Sequence, residues 1–162
     1  MSIFFNPDEV LEMAEQIERN GAQFYRHAAQ EAHDGETRAL LQSLAAMEDG
    51  HQKVFAKMRA NLKKEEIDFN ADEQALSYLK AWADGHVFDM KSDSTTRMQQ
   101  HHKNMEDILT VALGLEKESI AFYLGMKNSV NNNTYRDRID EIIKEEMKHI
   151  VLLSAQLSSL KK

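Results

Sequence analysis

Met47-Glu48-Asp49-Gly50-His51 sets a carboxylate and an imidazole three residues apart, on a stripe whose other members are Leu41, Leu44, Phe55, Met58 and Leu62. Apolar residues at spacings of three and four mark one face of an α-helix. Residues three apart on a helix point the same way. Glu48 and His51 therefore converge on the side that the neighbouring turns commit to a core.

The pattern recurs at a constant shift of 98 residues. Glu18 falls on Glu116, Phe24-Tyr25 on Phe122-Tyr123, Glu48 on Glu146 and His51 on His149. The apolar positions follow: Leu11 falls on Leu109, Ala14 on Ala112, Leu41 on Ile139, Leu44 on Ile142 and Phe55 on Leu153. No insertion is needed, so each half is a helical hairpin of one design.

Local signals bound the helices. Asn6 can cap a first helix, with Pro7 in its opening turn and Asp8 and Glu9 facing the positive end of the dipole. Its inner face reads Leu11, Ala14, Glu18, Gly21, Tyr25, Ala28 and Ala32, and Asp34-Gly35 ends it. The second helix runs from about Glu36 and fades in Lys63-Lys64-Glu65-Glu66. Ala71 to Phe88 reads as a short helix with Ala75, Leu76, Leu79, Trp82 and Ala83 on its apolar side. Lys91 to Lys103 reads as a polar connection, and its His101-His102 pair as solvated loop rather than ligand. Asn104 caps a third helix lined by Leu109, Ala112, Glu116, Ser119, Tyr123 and Met126. Asn131-Asn132-Asn133-Thr134 is a turn and cap. A fourth helix then carries Ile139, Ile142, Glu146, His149, Leu153 and Leu160.

The expected architecture is a single all-α domain, an antiparallel four-helix bundle of two pseudo-symmetric hairpins, 7–64 and 105–161. The crossover, 65–104, contains the short helix. A chain of 162 residues with 42% apolar content can bury a core of that kind. The net charge of −7 argues against nucleic acid or an anionic membrane as the main partner. The absence of cysteine removes disulfides, thiolate metal sites, cysteine nucleophiles and iron–sulfur ligation. The opening MSIFFNPDEV has no basic region of a signal peptide, and no stretch nears the roughly 20 apolar residues that span a bilayer. The expected compartment is the cytoplasm. Met105, Met126 and the middle segment are candidates for the apolar surface of a homodimer, with gap-filling core the more usual place of methionine.

Each hairpin thus carries one Glu on its first helix and a Glu-x-x-His pair on its second, all on core-facing stripes. Four carboxylates in a dry bundle repel one another and resist ionisation. No Lys or Arg shares their stripes. Two divalent cations would match four carboxylates in charge, with two neutral imidazoles completing the set. Two Glu can bridge both ions while each remaining Glu and each His serves one. Mixed carboxylate and imidazole ligation suits iron, manganese or zinc. A lone Glu-x-x-His is commonplace on a solvated face; two in register with two further core Glu are not.

Glu18, Glu48-x-x-His51, Glu116 and Glu146-x-x-His149 resemble the carboxylate-bridged di-iron pattern of the ferritin-like superfamily. The words IERNGAQFY and LEKESIAFY look most like its single-domain, rubrerythrin-like branch, and the resemblance covers roughly residues 8–62 and 106–160. It implies that Glu18 and His51 hold one metal, that Glu116 and His149 hold the other, and that Glu48 and Glu146 bridge. Tyr25 and Tyr123 resemble the tyrosines that hydrogen-bond ligand carboxylates in such sites; core aromatics with their hydroxyls satisfied elsewhere are the alternative. The chain departs from classical rubrerythrins in lacking a four-cysteine rubredoxin module, and in having Leu113 where they carry an extra Glu. The six-residue set is closer to the ferroxidase centre of bacterioferritin. Only 13 residues follow His149, which leaves little room for the fifth helix of cage-forming ferritins.

The function so implied is a di-iron oxidoreductase acting on peroxide or dioxygen, its six ligands also its catalytic set. Two ferrous ions would supply two electrons, and a separate donor such as a rubredoxin-like protein would replace them. Manganese or zinc could occupy the same site. Ferroxidase-type iron handling is one alternative; a bundle merely stapled by metal, as a structural or binding module, is another.

Overall fold

The computed structural model describes residues 6–62, 64, 72–85 and 104–162. Those residues form five helices and no strand: α1 (Pro7–Glu31), α2 (Gly35–Asn61), α3 (Glu73–Gly85), α4 (Met105–Ser129) and α5 (Asn133–Leu160). α1 packs along α2, and α4 along α5, as the two short turns require. α1 also meets α4, and α2 meets α5, which closes the four long helices into an all-α bundle.

The caps of α1, α4 and α5 follow the sequence signals, and Asp34, read only as part of the break after the first helix, also caps α2. The Asn6 side chain accepts from the Glu9 backbone N–H at 2.8 Å, and Glu9 reaches back to the Asn6 N–H. This reciprocal box satisfies two of the donors that a helix start leaves open. Asp34 caps α2 through Thr37, Asn104 caps α4 through Asp107, and Asn132 caps α5 through Tyr135.

The apolar stripes assemble into two plugs. One gathers Leu11, Phe55, Met58, Tyr123, Met126 and Ile139; the other gathers Tyr25, Leu41, Leu44, Leu109, Ala112 and Leu153. The shift of 98 exchanges them: Leu11 lies in the first and Leu109 in the second, Leu41 in the second and Ile139 in the first. A pseudo-twofold axis therefore passes between the plugs. The polar links at the two ends obey the same operation. Tyr135 donates its hydroxyl to the Met58 carbonyl at 3.1 Å, and Gln156 donates to the Thr37 hydroxyl at 2.8 Å. Thr37 and Tyr135 are 98 apart, as are Met58 and Gln156.

α3 breaks the symmetry. It lies across α4, with Leu79 in the first plug and the Trp82 ring 4.8 Å from that of Phe122. Gly125 permits the approach, because a Cβ there would lie 2.5 Å from the Tyr78 ring. The Tyr78 hydroxyl then donates to the Ala121 carbonyl at 2.7 Å. The short helix read between Ala71 and Phe88 is thus α3, beginning at Glu73. Ala71, Val87, Phe88, the connection from Lys91 to Lys103 and its His101-His102 pair lie outside the described residues. Among the described residues, no helix is long and apolar enough to cross a membrane.

Candidate metal centre

Between the two plugs, the core stripes change from carbon to oxygen and nitrogen. Glu18 comes from α1, Glu48 and His51 from α2, Glu116 from α4, and Glu146 and His149 from α5. All six are buried, Glu18 and Glu146 completely. The structure therefore brings together every residue of the sequence-derived set.

Their side chains form two overlapping groups. Glu18, Glu48, His51 and Glu146 each offer an atom within 4.8 Å of the others; so do Glu48, Glu116, Glu146 and His149. Glu48 and Glu146 belong to both. Each histidine turns Nδ1 inward: that of His51 lies 2.8 Å from Glu146 Oε1 and 3.4 Å from Glu18 Oε2. That of His149 lies 3.1 Å from Glu48 Oε1 and 3.4 Å from Glu116 Oε1. The two rings lie nearly parallel, with centroids 5.7 Å apart.

The tyrosines lace the hairpins together. Tyr25 on α1 donates its hydroxyl to Glu116 on α4, and Tyr123 on α4 donates to Glu18 on α1. Each therefore serves the lone Glu of the opposite hairpin, where the sequence placed it only on the same face as its own.

Six buried atoms of this layer lack a hydrogen-bond partner: Glu18 Oε2, Glu48 Oε1, both oxygens of Glu146, and Nδ1 of His51 and His149. The short Nδ1 contacts above lack hydrogen-bond geometry. Buried polar groups are ordinarily satisfied, and leaving one unmade costs about 1–3 kcal/mol. Gly21 adds to the cradle, since a Cβ there would lie 3.1 Å from Glu48 Oε2. A set of hard oxygens and two imidazole nitrogens, all unpaired and aimed inward, fits a pair of divalent cations.

The sequence pattern of ferritin-like domains matches residues 8–159. The chain belongs to the ferritin-like domain family. No curated protein sequence matches this member of the family significantly. Among solved structures, a candidate ferritin-like diiron-carboxylate protein from Thermotoga maritima superposes with a TM-score of 0.70. The two share 19% identity over 96% of each chain, a likeness of fold.

Burial and mutual repulsion shift the protonation of this ferritin-like centre. Burial pushes the Glu18 carboxyl up to about 7, against its contact with Glu48 and the hydrogen bond it accepts from Tyr123. Burial and the surrounding carboxylates raise Glu48 and Glu146 well above the usual range. Glu116 moves the other way: burial would raise it, but its close contacts with His149 and Glu146 and the hydrogen bond from Tyr25 hold it below its ordinary value. His149 is raised to about 9, because Glu116 and Glu48 outweigh the burial that disfavours its charge. Both tyrosine hydroxyls are pushed far up by burial and neighbouring carboxylates, so they act as donors throughout.

Two contacts at the outer edge were not singled out from the sequence. His51 Nε2 lies 2.5 Å from Glu145 Oε2, and His149 Nε2 lies 3.2 Å from Met47 Sδ. Each partner immediately precedes the Glu of a Glu-x-x-His pair, on the helix facing the histidine it meets. That adjacency was the available signal.

Proposed function

We propose that this ferritin-like protein is a di-iron oxidoreductase that reduces peroxide or dioxygen. The shared membership of Glu48 and Glu146 in the two buried groups carries this reading. Glu48 and Glu146 would bridge two ions, with Glu18 and His51 holding one, and Glu116 and His149 the other. The diiron-carboxylate description of the Thermotoga maritima protein supports a dinuclear iron centre.

A ferrous pair, when bound, supplies the two electrons that reduction of an oxygen–oxygen bond requires. The chain's own residues supply charge, orientation and dryness. Four carboxylates cancel the charge of two divalent ions. The Tyr25 and Tyr123 hydroxyls hold Glu116 and Glu18 in one orientation, as outer partners of metal ligands do. Glu145 accepts from His51 Nε2–H, which fixes the tautomer that leaves Nδ1 free to ligate. The flanking plugs exclude bulk water and the side reactions it brings. Replacement electrons come from a donor outside these 162 residues, which contain no cysteine, and a rubredoxin-like protein is suited to that part.

The test is anaerobic loading with ferrous iron followed by rapid mixing with peroxide. Glu48→Ala and His149→Ala should lose the fast oxidation while keeping their helical circular dichroism. Unchanged rates in both would contradict the proposal.

One observation favours a second reading, iron oxidation and handling. Leu113, where classical rubrerythrins carry an extra Glu, packs on the second apolar plug and leaves a six-ligand set. Iron retained per chain separates the two: about two ions for redox chemistry, many for storage.

A further inference from the structure

The six ligands and two tyrosines obey the pseudo-twofold axis, but the outer partners of the histidines do not. Glu145 and Met47 are 98 residues apart, so they occupy the same place in the two halves. Glu145 meets His51 Nε2 at 2.5 Å through a carboxylate oxygen; Met47 meets His149 Nε2 at 3.2 Å through a thioether sulfur. Both side chains are partly exposed, so neither is dictated by core packing.

The two acceptors differ in kind. A carboxylate takes a strong, charge-assisted hydrogen bond from an imidazole N–H. A thioether is a weak acceptor. A carboxylate behind a ligating histidine fixes its ring and strengthens it as a donor, and its loss typically lowers metal affinity 10- to 100-fold. His51 has that support and His149 does not. Inside the centre each Nδ1 stands 3.4 Å from the lone Glu of its own hairpin, and the nearest oxygen of the facing hairpin lies 2.8 Å from His51 and 3.1 Å from His149.

We infer that Glu145 and Met47 make the two metal positions inequivalent: a divalent first-row cation fills the Glu18–His51 position first, and the Glu116–His149 position is the weaker one. The inference rests on the dinuclear reading above and adds an order of filling to it. It gives the centre one retained ion and one that exchanges readily, with Met47 setting the difference.

Two unequal binding steps would not suffice as a test, since charge repulsion produces them even in a symmetric site. Location decides. Metal-free protein is given one equivalent of cobalt(II), which is stable in air and scatters anomalously, and its crystals are measured at the cobalt edge. The expected map has a peak beside Glu18 and His51 about tenfold stronger than any beside Glu116 and His149. The double variant Met47→Glu/Glu145→Met exchanges the two outer partners, and its peak should move to the Glu116–His149 side. The single variant Met47→Glu should even the two peaks. Equal peaks in the unaltered protein, or an unmoved peak in the double variant, overturn the inference and leave the dinuclear reading standing. No cobalt at either position overturns both.

Discussion

Tyr123 on α4 donates its hydroxyl to Glu18 on α1, and Tyr25 returns the bond from α1 to Glu116 on α4. A lone carboxylate is thus held by the hairpin that does not carry it. The centre is complete only when the hairpins are docked, which couples ligation to tertiary structure. Tyr123→Phe should weaken metal retention by about tenfold or more, as loss of an outer partner does. It should also cost about 1–3 kcal/mol of metal-free stability, because Glu18 loses a donor in a dry site. Competition against a chromogenic chelator and a thermal melt would measure the two effects. Wild-type affinity in this variant would remove the tyrosine from the ligand system.

Stability of the metal-free protein should fall as pH rises. Glu18 is raised from 4.5 to about 7, so between those values the folded state holds a proton that the unfolded chain has released. Stability then decreases with pH, by on the order of 3 kcal/mol from this group alone. Glu48 and Glu146, also raised, act with the same sign. His149, raised from 6.5 to about 9, continues the loss as pH climbs through 9. Glu116 opposes them, its contribution being lost as pH falls. Melts of metal-free protein from pH 5 to 9 should decline, and metal-loaded protein should hold a flatter profile. A rising metal-free curve would contradict the electrostatic account.

Metal binding should release protons. Glu48 and Glu146 are raised well above the usual carboxylate range, His149 to about 9 and Glu18 to about 7, so protons held by these ligands compete with cations. A net release of protons is expected, growing smaller as pH rises, since ligation requires deprotonated donors. Calorimetric titration in buffers of different ionisation enthalpy counts them directly. Release of none would mean that the cations bind elsewhere.

The docking of α3 depends on an absent side chain. Gly125→Ala would put a Cβ 2.5 Å from the Tyr78 ring and 3.0 Å from Leu79. The expected cost is about 1–3 kcal/mol, as for other overpacked cores. The variant's melting temperature should fall with or without metal. A Tyr78→Ala partner substitution should recover part of the loss in a double-mutant cycle. Full additivity of the two substitutions would contradict the contact.

The four long helices were legible because the periodicity, caps and breakers all agreed. Asn6, Asp34, Asn104 and Asn132 cap in the structure through the bonds their side chains offer. The convergence of Glu18, Glu48, His51, Glu116, Glu146 and His149 was legible for a further reason: repetition at one shift turns a weak motif into a shared geometry. The cross-hairpin direction of the tyrosine bonds was not, because sequence spacing orders residues along one helix and says little about what faces them. Glu145 and Met47 were hidden in the same way. They sit at the margin of the inward stripe, among residues that read as ordinary surface. The seat of α3 was hidden as well, since it rests on the missing Cβ of Gly125, and an absent atom leaves no hydrophobic signal.

The most direct measurement is diffraction at the iron edge from protein saturated anaerobically with ferrous iron. Two peaks are expected between Glu48 and Glu146, one touching His51 Nδ1 and the other His149 Nδ1. A single peak, or glutamates turned out to solvent with no iron among the helices, would contradict the paired centre.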